Sequence, residues 1–492
     1  MNTKILVLQP PSPPYMSVMR DIVGGYGAAF PSKRQEYGHD DWVRPEINMV
    51  LFYSAAVVEQ KNKDVHLIDG QVEQLNLDKL VSRVSEVNPD IVISIISLPS
   101  VYGDLKVLET LKQNFPHIKT IGIGTVCKSL PELILESGVV DIAVQGAPEY
   151  VLPELIDVIK QNQTKEQVPG IAFKENGRVV KTSTIPSVVE DLDALPYPAY
   201  HLASMDKYWH HEFGKHTRYI TILSSKGCPH CCYYCPYPYG FGDKFVLRDP
   251  IKVVDEIQYL HDKYGVEALV FRDQVFTANT KRTIELCDEL IRRRLRMKWL
   301  CETRLDTVNE ELLKKMKRAG CMRINYGIES GDPNLFSSGA KAHAKQSLGE
   351  FLAKVQLTEK VGIFAHVFIL LGLYGENWNT IHNTMEMVKR LKSTSIGVTI
   401  ATPYPGTSFY NEAKEKGMIL TDDWSKYTSY DPVIRTEELS AEDLLRARDM
   451  MHEIHRRAVR YKRMGQIIML NLRKIQDGTI WKQIWRKFTG VR

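Results

Sequence analysis

The chain has 492 residues, of which 43% are hydrophobic and 25% are charged, and its formal net charge is +5. This length predicts two or three domains, and the composition is that of an ordinary folded protein. No apolar run reaches the roughly 18 residues of a membrane span, and the one at the N-terminus is too short for a signal peptide. We therefore expect a protein of the reducing cytoplasm, whose eight cysteines do not form disulfides.

Residues 1–155 alternate between short apolar stretches and stretches with helical apolar spacing. We predict strands at residues 4–8, 65–68, 90–96, 120–124 and 141–145, and helices at residues 48–61, 77–87, 104–114 and 130–137. Strands joined by helices predict a parallel, doubly wound, Rossmann-like sheet of the α/β class. Such sheets bind ligands at the carboxyl ends of their strands, here the loops at residues 9–16, 97–104, 124–128 and 146–149.

This first domain resembles the cobalamin-binding domain that precedes many radical S-adenosylmethionine (SAM) domains. The resemblance rests on the order of the elements, on the phrase Gly-Ile-Gly-Thr at 122–125, and on residues 97–100 and 145–149. It implies cobalamin contacts from five residues: Ser97, Gly124, Thr125, Gly146 and Glu149. The alternation of strands and helices alone would fit any flavodoxin-like domain.

The segment after the first strand carries two further expectations. Residues 10–15 lack the histidine that ligates cobalt in cobalamin domains outside the radical SAM branch, so the resemblance implies cobalt with no histidine below it. Residues 16–29 contain Gly24, Gly25 and Gly27. We expect them to form a flexible loop over the cofactor or the substrate, or else an ordinary connection.

A second series of strands and helices begins near residue 218. It follows a hairpin at residues 170–182, turning at Asn176-Gly177, and a proline-rich joint at residues 192–198. We predict six strands, at residues 219–224, 268–272, 299–303, 323–328, 366–371 and 396–401, each separated from the next by a helical stretch. Repeated strand–helix units predict a curved parallel sheet whose site lies at the carboxyl ends of the strands.

Three cysteines follow the first of these strands. Cys228, Cys232 and Cys235 have the spacing C-x3-C-x2-C, and three thiolates on one loop suit an iron–sulfur cluster that keeps one iron open. Because Cys231 adjoins Cys232, the set 228, 231 and 235 is also possible. A zinc knuckle is the alternative, but it would need a second ligand pair 12 to 20 residues away, and no cysteine lies between residues 236 and 286.

The cysteine spacing, the aromatic Tyr234 before the last cysteine and the six strand–helix units resemble the radical SAM superfamily. With the first domain, they resemble its cobalamin-dependent (class B type) branch. The resemblance implies a partial (β/α)6 barrel, a 4Fe–4S cluster on Cys228, Cys232 and Cys235, and SAM chelated by the open iron. It implies SAM contacts from the cysteine loop and the later strand ends: Tyr234, Asp273, Gln274, Glu302, Arg304, Glu329 and Ser330.

The chemistry of these residue types agrees with those roles. An acid or amide such as Asp273 or Gln274 accepts hydrogen bonds from the ammonium of SAM, and the Arg304 guanidinium matches a carboxylate. Glu329 or Ser330 is expected at the ribose hydroxyls. The alternative for Asp273 and Arg304 is a structural ion pair, and Glu376 is expected to be a carboxylate at a helix N-terminus.

The resemblance implies four segments: a cobalamin-binding domain at 1–155, a linker with the hairpin at 156–215, the radical SAM barrel at 216–410, and a helical, basic C-terminal region at 411–492. Residues 441–492 carry 13 Lys or Arg against 5 Asp or Glu. Residues 480–488 form an apolar helical stripe flanked by basic residues, which predicts packing on the barrel, contact with a membrane surface, or docking of an acidic electron carrier.

The activity implied is methylation of an unactivated carbon through a 5′-deoxyadenosyl radical and methylcobalamin. The alternative is oxidative cyclisation or ring rearrangement without net methylation, and a non-catalytic cobalamin or redox sensor is a third class. We expect a small-molecule, lipid or peptide substrate and a low-potential donor such as flavodoxin or ferredoxin. No nucleic-acid motif is evident.

Overall fold

The computed structural model describes residues 3–14, 16–31, 46–185, 188–210, 212–214, 217–230, 232–335, 347–391 and 393–476. The side chains of Pro31 and of residues 460–476 are not part of this description. The expected tail stripe at 480–488 and Cys231 therefore lie outside the described residues, and the expectations about them stay predictions.

The first part of the chain forms a mostly parallel, seven-stranded sheet covered by helices, together with a separate two-stranded antiparallel hairpin. Its strands are β1 (Ile5–Gln9), β2 (Met16–Met19), β3 (Ala28–Pro31), β4 (Val65–Asp69), β5 (Ile91–Ile95), β6 (Lys119–Ile123), β7 (Ile142–Val144), β8 (Ile171–Glu175) and β9 (Arg178–Lys181). Its helices are α1 (Met49–Glu59), α2 (Leu77–Val87), α3 (Val101–Asn114), α4 (Thr125–Ser129), α5 (Pro131–Glu136) and α6 (Pro148–Lys160). Every residue of β1 and β5 is buried, as expected of strands with helices on both faces.

The strand order β4-β1-β5-β6-β7 confirms the predicted doubly wound sheet. The hairpin β8–β9, which the sequence placed between the domains, extends this sheet to seven strands, because β8 pairs antiparallel with β7. The buried side chains of Ile171 and Phe173 join the core on that side.

Residues 16–29, predicted as a loop over the cofactor or the substrate, belong to a β-hairpin with regular pairing. β2 and β3 pair antiparallel from Met16–Pro31 to Met19–Ala28, and a short 3-10 turn, Val23–Gly25, lies between them. Val18, Met19, Ala28 and Ala29 are buried, which gives the hairpin an apolar face. The glycines that suggested flexibility instead supply the positive φ angles of this turn.

The second sheet has six parallel strands in sequence order, as predicted. The remaining strands are β10 (Tyr219–Ile222), β11 (Ser225–Lys226), β12 (Val246–Leu247), β13 (Ala268–Phe271), β14 (Lys298–Thr303), β15 (Cys321–Glu329), β16 (Phe364–Leu371) and β17 (Ser395–Ile400). β11 and β12 pair only with each other, and the other six form the sheet β10-β13-β14-β15-β16-β17. This is the partial (β/α)6 barrel that the sequence implied.

The helices of this part lie mainly between the barrel strands and after them. They are α7 (Tyr237–Phe241), α8 (Pro250–Tyr264), α9 (Thr280–Arg292), α10 (Glu310–Arg318), α11 (Leu348–Val361), α12 (Trp378–Arg390), α13 (Ser408–Glu415) and α14 (Ala441–Gln476). α14 packs on α12 and β17. No helix within the described residues is both long enough and apolar enough to cross a bilayer.

The two faces of the barrel strands differ in burial. Ile324, Tyr326 and Ile328 of β15 point outward and are fully buried, whereas the alternate residues are half-buried and face inward. β16 repeats this pattern. The inner face is therefore hollow, and this hollow is where the site lies.

Candidate functional site

The three cysteines follow β11 on a loop whose start requires glycine. Gly227 has a φ of +85°, and a Cβ there would lie 2.1 Å from the Lys244 carbonyl oxygen. The N–H of Cys228 donates to the Gly242 carbonyl and that of Cys235 to the Cys232 carbonyl, each at 3.0 Å. Burial raises the pKa of the Cys235 thiol, and the charges of Cys232 and Cys228 add to the rise, so the three thiols are neighbours.

Their arrangement suits a cluster better than a single ion. Among the described residues, no three His, Cys, Asp or Glu side chains converge as the ligands of one metal ion do. An iron–sulfur cube takes each thiolate on a different iron, so its three cysteines do not converge on one point. None of the seven cysteines that the structure describes forms a disulfide.

Three of the expected SAM contacts lie beside the cysteine loop. Arg304 is close enough to Cys232 and Cys228 to interact with them electrostatically. Its Nε and Nη2 bind Asp306, and its Nη1 has no hydrogen-bond partner in the described part of the chain. Burial raises the pKa of Tyr234 well above its ordinary value, and the nearby Glu329 and Cys232 add to the rise.

Glu329 has an unusual backbone. Its φ is +72°, and the register between β15 and β16 shifts between Gly327 and Glu329. A non-glycine residue with positive φ at such an irregularity is held there by its surroundings, and such positions cluster at functional sites. Glu329 continues the inward-facing positions 323, 325 and 327 of β15, and its side chain lines the cavity.

Glu302 and Gln274 offer acceptors at neighbouring strand ends. Glu302 accepts a hydrogen bond from the Asn325 amide at 3.2 Å and lines the cavity. Gln274 donates to the Arg272 carbonyl at 3.3 Å, while its Oε1 is buried with no partner within the described residues. An unpaired buried acceptor is costly, so this oxygen is suited to an ammonium donor.

Asp273 and Ser330 have other partners in this structure. Asp273 accepts from the N–H and the Oγ of Ser224, at 2.9 and 2.7 Å, and from the Oγ of Ser225. Ser330 is fully buried, with its Oγ 3.3 Å from that of Thr384 on α12. Neither lines the cavity, and the alternative ion pair between Asp273 and Arg304 is not formed, because Arg304 pairs with Asp306.

A cavity of about 600 Å³ connects the two parts of the chain. Tyr234 and Cys235 of the cysteine loop line it, as do Met19, Val23 and Phe30 of the first part. The inward residues of β13 to β17 form its walls. A molecule in this cavity is thus in reach of both the cysteine loop and the hairpin β2–β3.

The carboxyl ends of the first sheet hold the five expected cobalamin contacts in a tightly packed setting. Gly124 has a φ of +113°, and a Cβ there would lie 2.5 Å from the Ile96 carbonyl oxygen. Thr125 donates to the Gly24 carbonyl at 2.6 Å, and Ser97 bonds Ser100 at 2.7 Å. Gly124, Thr125 and Gly146 line a slot of only about 30 Å³.

Glu149 joins this edge to the cysteine loop. Its Oε1 accepts a hydrogen bond from Lys226 at 2.6 Å, and both side chains are more than 90% buried. Lys226 stands two residues before Cys228. Arg20 also lines the slot. Two buried atoms, the Nε of Arg20 and the Oε2 of Glu149, have no hydrogen-bond partner within the described residues.

Two protein-family models match this chain, one over the first sheet and one over the barrel. Residues 45–156 match the B12 binding domain, and residues 222–388 match the radical SAM superfamily. The chain is a B12-binding radical SAM enzyme. The cysteine loop lies inside the second match, and the slot residues Gly124, Thr125 and Gly146 lie inside the first.

Relatives of this radical SAM enzyme cover most of its length. It is 29% identical over 395 residues to an uncharacterized methyltransferase of Pyrococcus horikoshii, covering 80% of this chain and 84% of the relative. It is 27% identical over 404 residues to the anaerobic magnesium-protoporphyrin IX monomethyl ester cyclase of Cereibacter sphaeroides, covering 80% of this chain and 64% of the relative.

Two solved structures share the fold. The methyltransferase TsrM from Kitasatospora setae, with cobalamin and a [4Fe–4S] cluster bound, superposes with a TM-score of 0.65 at 17% identity, covering 85% of this chain and 78% of TsrM. The cobalamin-dependent enzyme OxsB superposes with a TM-score of 0.61 at 18% identity, covering 79% of this chain and 57% of OxsB.

The residues of this radical SAM enzyme fit its cofactors to different degrees. Three neighbouring thiols, the open Nη1 of Arg304 and the unpaired Oε1 of Gln274 fit a cluster and SAM. The unpaired Arg20 Nε and Glu149 Oε2 fit a polar ligand at the first sheet, but about 30 Å³ is the space of roughly one water. Cobalamin therefore requires the turn Val23–Gly25 and α7 to move away from Thr125.

Sequence reasoning missed the polar residues inside the barrel. Arg323, Asn325 and Glu329 alternate along β15, and His366 shares the inner face of β16 with Phe368. The alternation of polar residues along a barrel strand could have revealed them, because the outward positions of such strands are apolar and polar residues between them must face inward. Arg448 and His452 of α14 also line the cavity.

Proposed function

We propose that this enzyme methylates an unactivated carbon of a substrate bound inside the barrel. One observation carries the proposal: a single cavity is lined both by the cysteine loop and by the hairpin β2–β3 of the cobalamin-binding part. A carbon held there is accessible to both cofactor sites. The relatives named methyltransferases, including one acting on cytidylyl-2-hydroxyethylphosphonate and two on bacteriochlorophyllide d, support methylation.

Each group of residues has a separate role in this proposal. Cys228, Cys232 and Cys235 hold the cluster, Arg304 binds the carboxylate of SAM, and Gln274 accepts from its ammonium. Glu329, whose side chain lines the cavity close to Tyr234, would bind the ribose hydroxyls. When bound, the cluster with SAM supplies hydrogen-atom abstraction, and cobalamin supplies the methyl group.

The chain must also keep water and stray hydrogen donors away from the reacting carbon. Met19, Ile22 and Phe30 present apolar surface to the cavity, and Phe30 packs against Tyr430 with ring centroids 4.9 Å apart. The hairpin therefore covers the barrel opening with apolar side chains. Movement of this hairpin would admit both cobalamin and substrate.

The stoichiometry gives a direct test. Each turnover takes two SAM and two electrons, and it yields methionine, 5′-deoxyadenosine, S-adenosylhomocysteine and the substrate with one hydrogen replaced by methyl. The protein is reconstituted anaerobically with iron, sulfide and cobalamin, then incubated with SAM, reductant and candidate extracts. We expect 5′-deoxyadenosine and S-adenosylhomocysteine in equal amounts, with a mass gain of one methyl. The matched control replaces Cys228, Cys232 and Cys235 by alanine.

Oxidative cyclisation is the second candidate, because three of the relatives are named cyclases. It gives 5′-deoxyadenosine without S-adenosylhomocysteine. That product pattern would reject methylation in favour of cyclisation. A reconstituted protein that cleaves no SAM would contradict both proposals.

The electron donor and the compartment complete the proposal. A low-potential flavodoxin or ferredoxin would supply the two electrons, and the reducing cytoplasm would keep the cluster cysteines available. Docking of an acidic carrier or contact with a membrane surface by the basic tail stays a prediction from sequence.

A further inference from the structure

The cavity is long, and its two ends differ. Along β15, the inward residues run from Arg323 to Glu329, six positions apart, which corresponds to roughly 20 Å of strand. Glu329 lies at the carboxyl end, beside the cysteine loop. Arg323 lies near the amino end, so the cavity extends from the SAM site through the barrel to the opposite rim.

Cationic and imidazole side chains gather at that far rim. Arg323 of β15, His366 of β16, and Arg448 and His452 of α14 all line the cavity. His366 is close enough to Arg323 and His452 for their charges to act on it, and His452 is similarly close to Arg448. Three separate elements therefore bring nitrogen donors to one end of the cavity.

The acids that pair with these groups lie outside the cavity lining. Arg323 binds Glu212, and Arg448 binds Asp449 at 3.3 Å, where the Asp449 side chain is 72% exposed. A carboxylate that exposed neutralises little of the guanidinium charge. Arg448 also donates to the Tyr430 carbonyl at 3.1 Å, which fixes its position, while its Nη2 makes no hydrogen bond within the described residues.

Burial disfavours the charged form of both imidazoles at this rim. Burial lowers the pKa of His366 to about 3, and Arg323 adds to the effect. Burial, followed by Arg448, also lowers the pKa of His452. The His366 Nδ1 is 2.8 Å from the Ser395 Oγ, and Nε2 lies over Gly397, where a Cβ would come within 2.8 Å. Because Arg323 is paired with Glu212, the uncompensated positive charge of the rim is that of Arg448.

The walls between the two ends are mostly apolar. Phe368 and Leu370 of β16 alternate with outward residues, and Phe30 and Met19 of the hairpin also line the cavity. A cavity of this kind, apolar with a few placed polar groups, fixes the orientation of an elongated ligand.

We propose that the substrate is an elongated molecule with an apolar body and an anionic end, carboxylate or phosphate, held by Arg448, His366 and His452. The reacting carbon then lies at the opposite end, beside the cysteine loop. The inference rests on the proposed function, because it names the class of substrate that the same cavity accepts.

The test compares two fluorescent probes of similar size on the reconstituted full chain. One is 1-anilinonaphthalene-8-sulfonate, which carries an anion, and the other is the neutral N-phenyl-1-naphthylamine. Decanoate, decyl phosphate and decanol then compete for the bound probe. We expect decanoate or decyl phosphate to displace it at concentrations roughly tenfold below decanol, and the stronger of the two identifies the anionic group.

The variant Arg448→Gln should weaken binding of the sulfonate probe and of the anionic competitors roughly tenfold, with binding of the neutral probe unchanged. Arg446→Gln is the matched control, because Arg446 lies on the same helix, is exposed and does not line the cavity. If Arg448→Gln folds poorly, as judged by iron content and Tm, His452→Gln replaces it with the same expected direction.

Three results would overturn the inference: no saturable binding of the sulfonate probe, equal competition by decanol, or unchanged anion binding in Arg448→Gln. The proposed function fails separately, through the products of SAM. Anion selectivity without S-adenosylhomocysteine would leave this binding site intact and reject methylation, and the reverse result would reject only the site.

Discussion

The two parallel sheets of this enzyme end very differently at their carboxyl edges. At the first sheet, Gly124, Thr125 and the turn Val23–Gly25 pack so closely that the slot holds about 30 Å³. At the barrel, the strand ends surround the top of a cavity of about 600 Å³. The first edge is closed by contacts within the protein, whereas the second surrounds an open cavity.

The difference separates two kinds of site. At the barrel edge, the thiols, Arg304 and Gln274 are positioned before any ligand arrives, so their loss should remove binding and leave the fold. At the first edge, bonds such as Thr125 to Gly24 must be exchanged when cobalamin enters. Changes there should alter stability and cofactor binding together.

The largest effect is expected at the cluster. Replacing Cys228, Cys232 or Cys235 by alanine should abolish iron–sulfur absorbance and SAM cleavage, because in the proposed cluster each thiolate holds a different iron. Iron and sulfide analysis with anaerobic absorption spectra measures this. The control Cys287→Ala removes a buried thiol of α9 and should keep the cluster. Loss of the cluster in Cys231→Ala together with its retention in Cys232→Ala would instead select the alternative ligand set.

The next effect tests the bond between the two edges. Replacing only Glu149 by leucine or only Lys226 by methionine leaves a buried, unpaired charge, so each single variant should lose about 3–5 kcal/mol of unfolding free energy. The double variant Glu149→Leu with Lys226→Met should recover most of this loss. Urea unfolding of all four proteins gives the coupling energy. If the double variant loses the sum of the two single losses of unfolding free energy, the pair does not act as a unit.

The fold was largely predictable from the sequence, because hydrophobic period and turn residues determine it locally. α2 begins and ends where the spacing predicted, with Asn76 accepting from the Lys79 N–H and Asn88 at a φ of +47°. The hairpin β8–β9 was also recognised, but its pairing with β7 was not, since Asn176-Gly177 specifies a turn and not the edge that the hairpin joins.

The site was predictable only where a motif encodes it. Cysteine spacing locates the cysteine loop, but sequence cannot distinguish Asp273 and Ser330, whose polar atoms bond within the protein, from Glu302 and Glu329, which line the cavity. Only packing decides which side chains face inward. The Ser224 and Ser225 hydroxyls that engage Asp273 lie 48 or more residues away along the chain. The same limit hid Arg448, whose helix reaches the cavity through tertiary packing on β17.

The loop after β16 gives a pH-dependent prediction. Burial raises the pKa of Glu376 from 4.5 to about 8, partly offset by the hydrogen bond from the Gly372 N–H. When the pKa of a carboxyl is higher in the folded than in the unfolded protein, its contribution to folding stability is fully present below the unfolded pKa. That contribution is lost as the pH rises through the folded pKa. Relative to Glu376→Gln, the wild-type protein should therefore lose stability between about pH 4.5 and 8, by a few kcal/mol at about 1.4 kcal/mol per pKa unit.

Unfolding free energies of both proteins across that pH range measure the difference. The glutamine variant keeps an acceptor for the Gly372 N–H and cannot ionise, so every other titrating group cancels in the comparison. A difference that does not vary with pH would mean that Glu376 ionises inside the fold at its ordinary pKa.

Arg304 tests whether the barrel edge is indeed arranged for a ligand and not for the fold. One side of its guanidinium already binds Asp306, so Arg304→Gln removes a charge-assisted pair that the protein can partly replace with water at the half-buried Asp306. If Arg304 binds the SAM carboxylate as proposed, losing those bonds, about 1.5–3 kcal/mol, should weaken SAM binding roughly 10- to 100-fold in calorimetric titrations of the cluster-loaded protein. Arg292→Gln, an exposed change on α9, is the control. A strongly lowered Tm with unchanged SAM binding would mean that Arg304 supports the loop through Asp306. The barrel edge would then be held by contacts within the protein, as the edge of the first sheet is, despite its open cavity.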